Sequence, residues 1–235
     1  AGFASESQAL FRELLGSGAD MVGDSFVFAP RALFGHPAFL RGIELLRLGQ
    51  GGDARREFQS IGITVPSQRG GANLTPEQEE LLWLAALLYD RAGAYHLSHF
   101  IPRHVLTEWQ RHYPAGPWRK HWLLAYPRGY LALVKKAAAE GGQPDALELA
   151  IMREETACDP RTESFANAVG LTQMVQSTAK RFSGGLPYDR ESLRDPAINM
   201  AIGGRFLSFL WQLYSGNAGL VVPSYNAGEH AVVKW

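Results

Sequence analysis

The stretch Ala146–Ala179, ALELAIMREETACDPRTESFANAVGLTQMVQSTA, decides the fold, because an apolar segment runs directly into adjacent glutamates and then into a loop. Ala146, Leu147, Leu149, Ala150, Ile151 and Met152 point in nearly every direction around a helical axis, interrupted only by Glu148, so this helix is expected to be buried on all sides. Pro144 suits the first turn, where a missing N–H costs no helical bond, and Pro160 marks a point by which the helix has ended. Glu154 and Glu155 therefore fall near its C-terminal end. The helix carbonyls there, together with desolvation by the apolar body, raise a carboxyl above its ordinary value. An acid that keeps its proton near neutral pH can protonate a leaving group. Neighbours on a helix project about 100° apart, so spacing alone leaves open which glutamate carries the chemistry.

Working outward, Pro196–Leu213, PAINMAIGGRFLSFLWQL, reads as a long apolar helix in which Gly203 and Gly204 permit close approach of another backbone, with Gly216, Asn217 and Gly219 closing it off. Upstream, Leu131, Leu133, Val134 and Ala137 face inward from a helix starting near Tyr130, and the turn EGGQPD joins it to the glutamate helix. Thr75-Pro76-Glu77-Gln78 is a capping box with proline at the first helical position. The helix it opens, through Leu81, Leu82, Leu84, Ala85, Leu87, Leu88 and Tyr89, is apolar over most of its circumference and should be an inner helix. Pro37–Leu48 and a segment starting near Asp53 read as a helical hairpin, preceded by a first helix around Leu10, Phe11, Leu14 and Leu15. No strand-period alternation of useful length occurs, so the chain is expected to be all-α. The division is a superhelix-like region at 1–125, without a clean repeat period, followed by a second domain at 126–235.

With 235 residues, 46% of them hydrophobic and 11% aromatic, the chain can bury a sizeable core. Lys plus Arg and Asp plus Glu balance at 23 each, so no global field recruits nucleic acid or an anionic membrane surface. No run approaches the roughly 18–20 consecutive apolar residues needed to span a bilayer. The start, AGFASESQALF, lacks a basic segment followed by an apolar one, so the chain reads as a mature form. Cys158 has no partner for an internal disulfide and no His in its motif, which makes it a packing residue rather than a nucleophile. His96 and His99 lie one turn apart, with His104 beyond, yet acidic or cysteine partners for a closed metal shell are lacking, so no metal is expected. Trp109, Tyr113, Trp118, Trp122, Tyr126 and Tyr130 form an aromatic-rich stretch suited to filling a seam between the two domains or to stacking on sugar faces.

Taken together, Glu155-Thr156, Pro160, Ser164, Gly170-Leu171-Thr172-Gln173 and Thr178-Ala179 resemble the Glu-Ser, Pro, Ser, Gly-Leu-Met-Gln and Thr-Ala pattern of the soluble lytic transglycosylases of bacterial cell walls, whose catalytic domains are lysozyme-like. Asn199, Gly203 and Phe206-Leu207 resemble that family's Asn-x-x-x-Gly-x-x-aromatic-Leu helix, and Ser224-Tyr225-Asn226-Ala227-Gly228 its Ala-Tyr-Asn-Ala-Gly turn. The blocks occur in the family's order over the last third to half of the chain. Thr172 stands in place of Met, Gln176 of Pro and Asn167 of Gly, while Glu154 replaces a frequent Gln and adds a charge that favours a protonated neighbour.

The resemblance implies that Glu155 is the catalytic acid and that Ser164, Gln173, Tyr225 and Asn226 bind substrate, with no cofactor and no metal. Glu155 would protonate the oxygen between N-acetylmuramic acid and N-acetylglucosamine, the substrate's acetamido group would assist, and ring closure by the muramyl O6 would leave a 1,6-anhydro end. Ser164 would bond the acetamido group, Gln173 the sugar, and Tyr225 would orient Glu155; their structural alternatives are a turn, a loop brace and a core tyrosine. Asn226 is the residue more suited to fixing its turn. The substrate would be peptidoglycan glycan strands in the periplasm or cell envelope, with the N-terminal helical region positioning strands and cell-wall enzymes. Two other functions fit the same residues: a hydrolytic muramidase and a non-catalytic glycan-binding scaffold. For the site itself, the expectation is a half-buried Glu155 close to Tyr225, facing a groove floored by Gly170–Gln173.

Overall fold

The computed structural model describes residues 26, 28–29, 31–67 and 74–234. The helix expected around Leu10–Leu15 lies outside them. The chain divides into two compact units, Ala1–Pro127 and Arg128–Trp235. Among the described residues no strand forms, and the fold is all-α, with only isolated antiparallel bridges at Glu163–Val169 and Val169–Met174.

In the first unit the helices are α1 (Pro37–Arg47), α2 (Gly51–Ser60), α3 (Pro76–Arg91), α4 (Tyr95–His104) and α5 (Arg119–Ala125). Both halves of the capping box form at the start of α3: Gln78 N donates to Thr75 Oγ1 at 3.3 Å and Thr75 N to Gln78 Oε1 at 2.9 Å. Beyond it Trp83 to Tyr89 are buried without a break, which makes α3 the inner helix that its sequence predicts. It packs on α4, while α1 packs on α2 through Phe39, Ile43 and Phe58. Tyr89, wholly buried, keeps its hydroxyl satisfied by donating to Ile63 O at 2.7 Å. His99 is likewise spent inside the unit, its Nδ1 2.9 Å from Ala125 O. Trp109, Trp122 and Tyr126 pack edge to face or stacked on one another, while Tyr113 is exposed.

The second unit contains α6 (Leu131–Gly141), α7 (Asp145–Thr156), α8 (Gln176–Phe182), α9 (Pro196–Leu213), α10 (Ala218–Ala227) and α11 (Glu229–Val232). Its centre is α9, started by Asp195, whose Oδ1 accepts from Ala197 N and Ile198 N at 2.8 and 3.0 Å. Ile202, Phe206, Leu207 and Leu210 of this helix form the core with Ile151, Val169, Met174, Leu193 and Val221. Gly203 and Gly204 are there for close approach: a Cβ at Gly203 would collide with Thr172, and one at Gly204 would lie 2.7 Å from Ala137 Cβ and 2.8 Å from Glu148 Oε1.

Several local expectations change. α7 is not buried on all sides: Ala146 and Ala150 are exposed, and the buried face is Glu148, Ile151, Met152 and Thr156. Pro144 precedes the helix with extended backbone instead of sitting in its first turn. Asn217 does not end α9 but starts α10, its side chain accepting from Gly219 N at 3.0 Å. Ser224–Ala227, expected as a turn, is the last turn of α10, capped by Gly228.

Candidate active site

α7 stops because Ala157 and Cys158 both adopt left-handed backbone, at φ 51° and 65°. The chain then folds into a loop held by hydrogen bonds to its own atoms and to α9. Thr156 Oγ1 lies 3.1 Å from both Met152 O and Leu171 O, which ties the loop back to the helix. Asn199, fully buried on α9, donates through Nδ2 to Val169 O and Leu193 O at 2.9 and 2.8 Å and accepts through Oδ1 from Thr172 N and Oγ1 at 2.9 and 2.7 Å. From α10, Tyr225 donates its hydroxyl to Thr172 O at 2.7 Å. Every unpaired group in this buried loop would cost about 1–3 kcal/mol, which is why so many side chains are committed to it.

The outer face of the loop forms a groove with α7, α8 and α10, enclosing about 580 Å³ and lined by Glu155, Ser164, Phe165, Gln173, Tyr225 and Asn226 among others. All the residues assigned to the site from sequence thus reach one cleft. Its floor differs from the expected one: Gln173, Met174 and Val175 line it, whereas Leu171 and Thr172 are buried behind. The polar groups are also more committed than expected. Ser164 Oγ accepts from Ala168 N at 3.1 Å, which leaves its own proton free to donate outward. Gln173, at φ 50°, spends its amide N–H groups on Gly170 O and Thr162 O at 3.1 and 3.2 Å, so its carbonyl oxygen is what it can offer a ligand. Tyr225 is bonded to the loop backbone and not to Glu155. Asn226 is exposed on the groove wall.

Glu155 is half-buried at the end of α7, and burial first, the Glu154 charge second, hold its carboxyl above the usual carboxylate range. The same Glu155 charge adds to burial in pushing the Tyr225 hydroxyl up. A second carboxylate in the groove is Glu229, which sequence reasoning missed; Arg181 Nη1 at 2.7 Å holds it below the usual range. The groove therefore pairs one carboxyl that resists ionisation with one kept ionised and neutralised by a guanidinium.

Glu148 was also missed, having been read as a break in an apolar helix. It is almost wholly buried where α6, α7 and α9 meet, and burial raises it to about 7 against a hydrogen bond from Gln143 Nε2 at 3.2 Å. Its Oε1 and Gln143 Oε1 are buried without hydrogen-bond partners, a pairing of acceptors that a proton on the carboxyl relieves. The signal available in sequence was a Glu seven residues before Glu155, on the same helix face.

This is an all-α domain with a half-buried glutamate at a helix end beside an open cleft. Residues 132–235 match the family model of the transglycosylase SLT domain. Membrane-bound lytic murein transglycosylase C of Haemophilus influenzae is 36% identical over 120 residues, 46% of this chain and 33% of that protein. Its namesake in Yersinia enterocolitica is 38% identical over 118 residues, 45% of this chain and 33% of that protein. The chain thus spans about a third of the length of the curated relatives it matches. Among solved structures, the 70 kDa soluble lytic transglycosylase SLT70 from Escherichia coli aligns with a TM-score of 0.61 and 24% identity, covering 99% of this chain and 37% of that one. Lytic transglycosylase Slt from Pseudomonas aeruginosa, solved as an inactive mutant, aligns with a TM-score of 0.60 and 22% identity over 97% of this chain and 36% of that one. These two structures share the fold.

Proposed function

We propose that this chain is a peptidoglycan lytic transglycosylase that cleaves the β-1,4 bond between N-acetylmuramic acid and N-acetylglucosamine and leaves a 1,6-anhydromuramyl end. The observation that carries this is Glu155: one carboxyl in the groove is held above its ordinary range, while the other, Glu229, is tied to Arg181. A site with a single free acid needs the substrate to supply the second group, in contrast to the two free carboxylates of most glycosidases. Glu155 gives its proton to the glycosidic oxygen as the bond to the muramyl C1 breaks, and the acetamido oxygen bonds to C1. Glu155, now a carboxylate, takes the proton of the O6 hydroxyl; O6 bonds to C1 and releases the acetamido group. No water is consumed.

Around the acid, the Ser164 proton faces the acetamido oxygen and the Gln173 carbonyl oxygen accepts from sugar hydroxyls, each with its other bonds already committed to the loop. Tyr225 acts as a positioning residue by holding the Thr172 carbonyl, and with it the loop carrying Gln173. Residues 126–235 form the catalytic domain in this reading, and 1–125 a helical region that positions glycan strands and cell-wall enzymes. The protein would work in the periplasm or cell envelope, where its polymer lies; no helix among the described residues is long and apolar enough to cross a membrane.

Digestion of purified sacculi tests the proposal. The expected muramyl ends are anhydro and resist borohydride. Reducing ends would assign a muramidase instead, and intact sacculi a scaffold. Glu155→Gln should retain glycan binding and lose cleavage by at least the roughly 10²–10⁴-fold that a general acid–base contributes.

A further inference from the structure

Phe165 is the most exposed large apolar side chain among the described residues, fully open to solvent at 102% of its reference area. It stands on a turn that leaves it little freedom. Asn167 N donates to Ser164 O at 3.0 Å, Ser164 N to Ala168 O at 3.0 Å and Ala168 N to Ser164 Oγ at 3.1 Å, while Asn167 takes the left-handed backbone, φ 59°, that such a turn requires. The turn is closed on Ser164, Asn167 and Ala168, and its tip, Phe165 with Ala166, takes part in none of these bonds. A ring held in water in this way forgoes the burial that normally compensates an aromatic side chain.

The position says what the ring is for. Phe165 lines the same groove as Glu155 and Asn226, next in sequence to Ser164. A pyranose ring has an apolar C–H face and a rim of hydroxyls. The ring of Phe165 suits the face, and the Gln173 carbonyl oxygen and the exposed Asn226 amide suit the rim. A protein partner seated on Phe165 would close the groove over the acid, whereas a polysaccharide strand lying along it covers the ring and reaches the acid together.

We propose that Phe165 is a stacking platform for a pyranose ring of the bound glycan, adjacent to the sugar whose bond is cleaved. This rests on the reading of the groove as a glycan-cleaving site. Placing an aromatic on a turn tip adds affinity for polymer and leaves the acid's chemistry alone, so its loss acts on KM and not on kcat.

The test uses binding without turnover. In a Glu155→Gln background, calorimetric titration with the β-1,4-linked tetramer of N-acetylglucosamine is compared for the parent, Phe165→Ala and Phe165→Trp. Alanine is expected to weaken binding about three- to tenfold and tryptophan to keep or tighten it. Both variants should melt with the parent, because Phe165 packs on nothing. Unchanged affinity in Phe165→Ala, or no binding of the tetramer by the parent, overturns the proposal. On sacculi with the acid restored, Phe165→Ala should raise KM with kcat nearly unchanged; a fall in kcat alone also overturns it. The readouts separate the two readings. An alanine-sensitive titration with no anhydro product sinks the transglycosylase assignment and keeps the platform, while anhydro product with an alanine-insensitive titration does the reverse.

Discussion

Glu155 and Glu154 are adjacent and differ in what surrounds them. Glu154 is exposed and bonded to Arg153 Nη1 at 2.5 Å, whereas Glu155 is half-buried and carries the raised carboxyl. Since burial is the larger cause and the Glu154 charge the smaller, Glu154→Gln should lower the affinity of Glu155 for its proton without abolishing it. An acid catalyst is lost as pH rises through its own value, so the alkaline limb of the pH–rate profile should move to lower pH in this variant. The Arg153 contact already offsets part of the Glu154 charge, which keeps the displacement small. A limb that stays in place would show that Glu154 does not act on the acid at all.

At the scale of the element, α9 does the most to hold the site, and Asn199 is the reason. Its side chain closes the loop at Val169, Leu193 and Thr172 together. Asn199→Ala strands two buried carbonyls and a buried N–H, at a cost on the order of 3 kcal/mol or more, to be read as a lower denaturant midpoint. Asn199→Asp keeps the acceptors but turns an oxygen toward those carbonyls, so it should not rescue. Much of this element was legible: Pro196–Leu213 is helical over the predicted span, and its glycines meet Thr172, Ala137 and Glu148 at close quarters. The Thr75 capping box was legible too, because a start signal is local. What could not be read needed a partner from elsewhere in the chain. Glu148 lies on the buried face of α7 only because Gly204 leaves room for its carboxyl, and hydrophobic periodicity treats a glutamate as a solvent marker. Ser164 and Gln173 were expected at the site by resemblance and both line the groove, but the loop's use of their bonding groups depends on left-handed backbone at Asn167 and Gln173 that composition does not reveal.

Over the whole molecule, the two units respond to acid in opposite senses. In the first, His121 is held down to about 4 by burial, with Lys120 adding to it, so the folded unit resists a proton that the unfolded chain accepts below its ordinary 6.5. Its stability is lost as pH falls from about 6.5 through 4. In the second, Glu148 is raised from 4.5 to about 7, so stability is lost as pH rises through that interval. Each unit of pH between those values is worth about 1.4 kcal/mol, which puts the Glu148 cost above neutrality on the order of 3 kcal/mol. Calorimetry of the whole chain at pH 5 and 7 should show one unfolding transition rising and the other falling, and Glu148→Gln should flatten the falling one; transitions that move together would refute the assignment. The turn that carries Phe165 bears on how such a protein can change. Because it is closed by Ser164, Asn167 and Ala168, its tip is an interchangeable part on a fixed mount. On the proposed reading, a lineage meeting a differently decorated polymer could retool its grip there, one codon at a time, without touching Glu155 or refolding the domain around it.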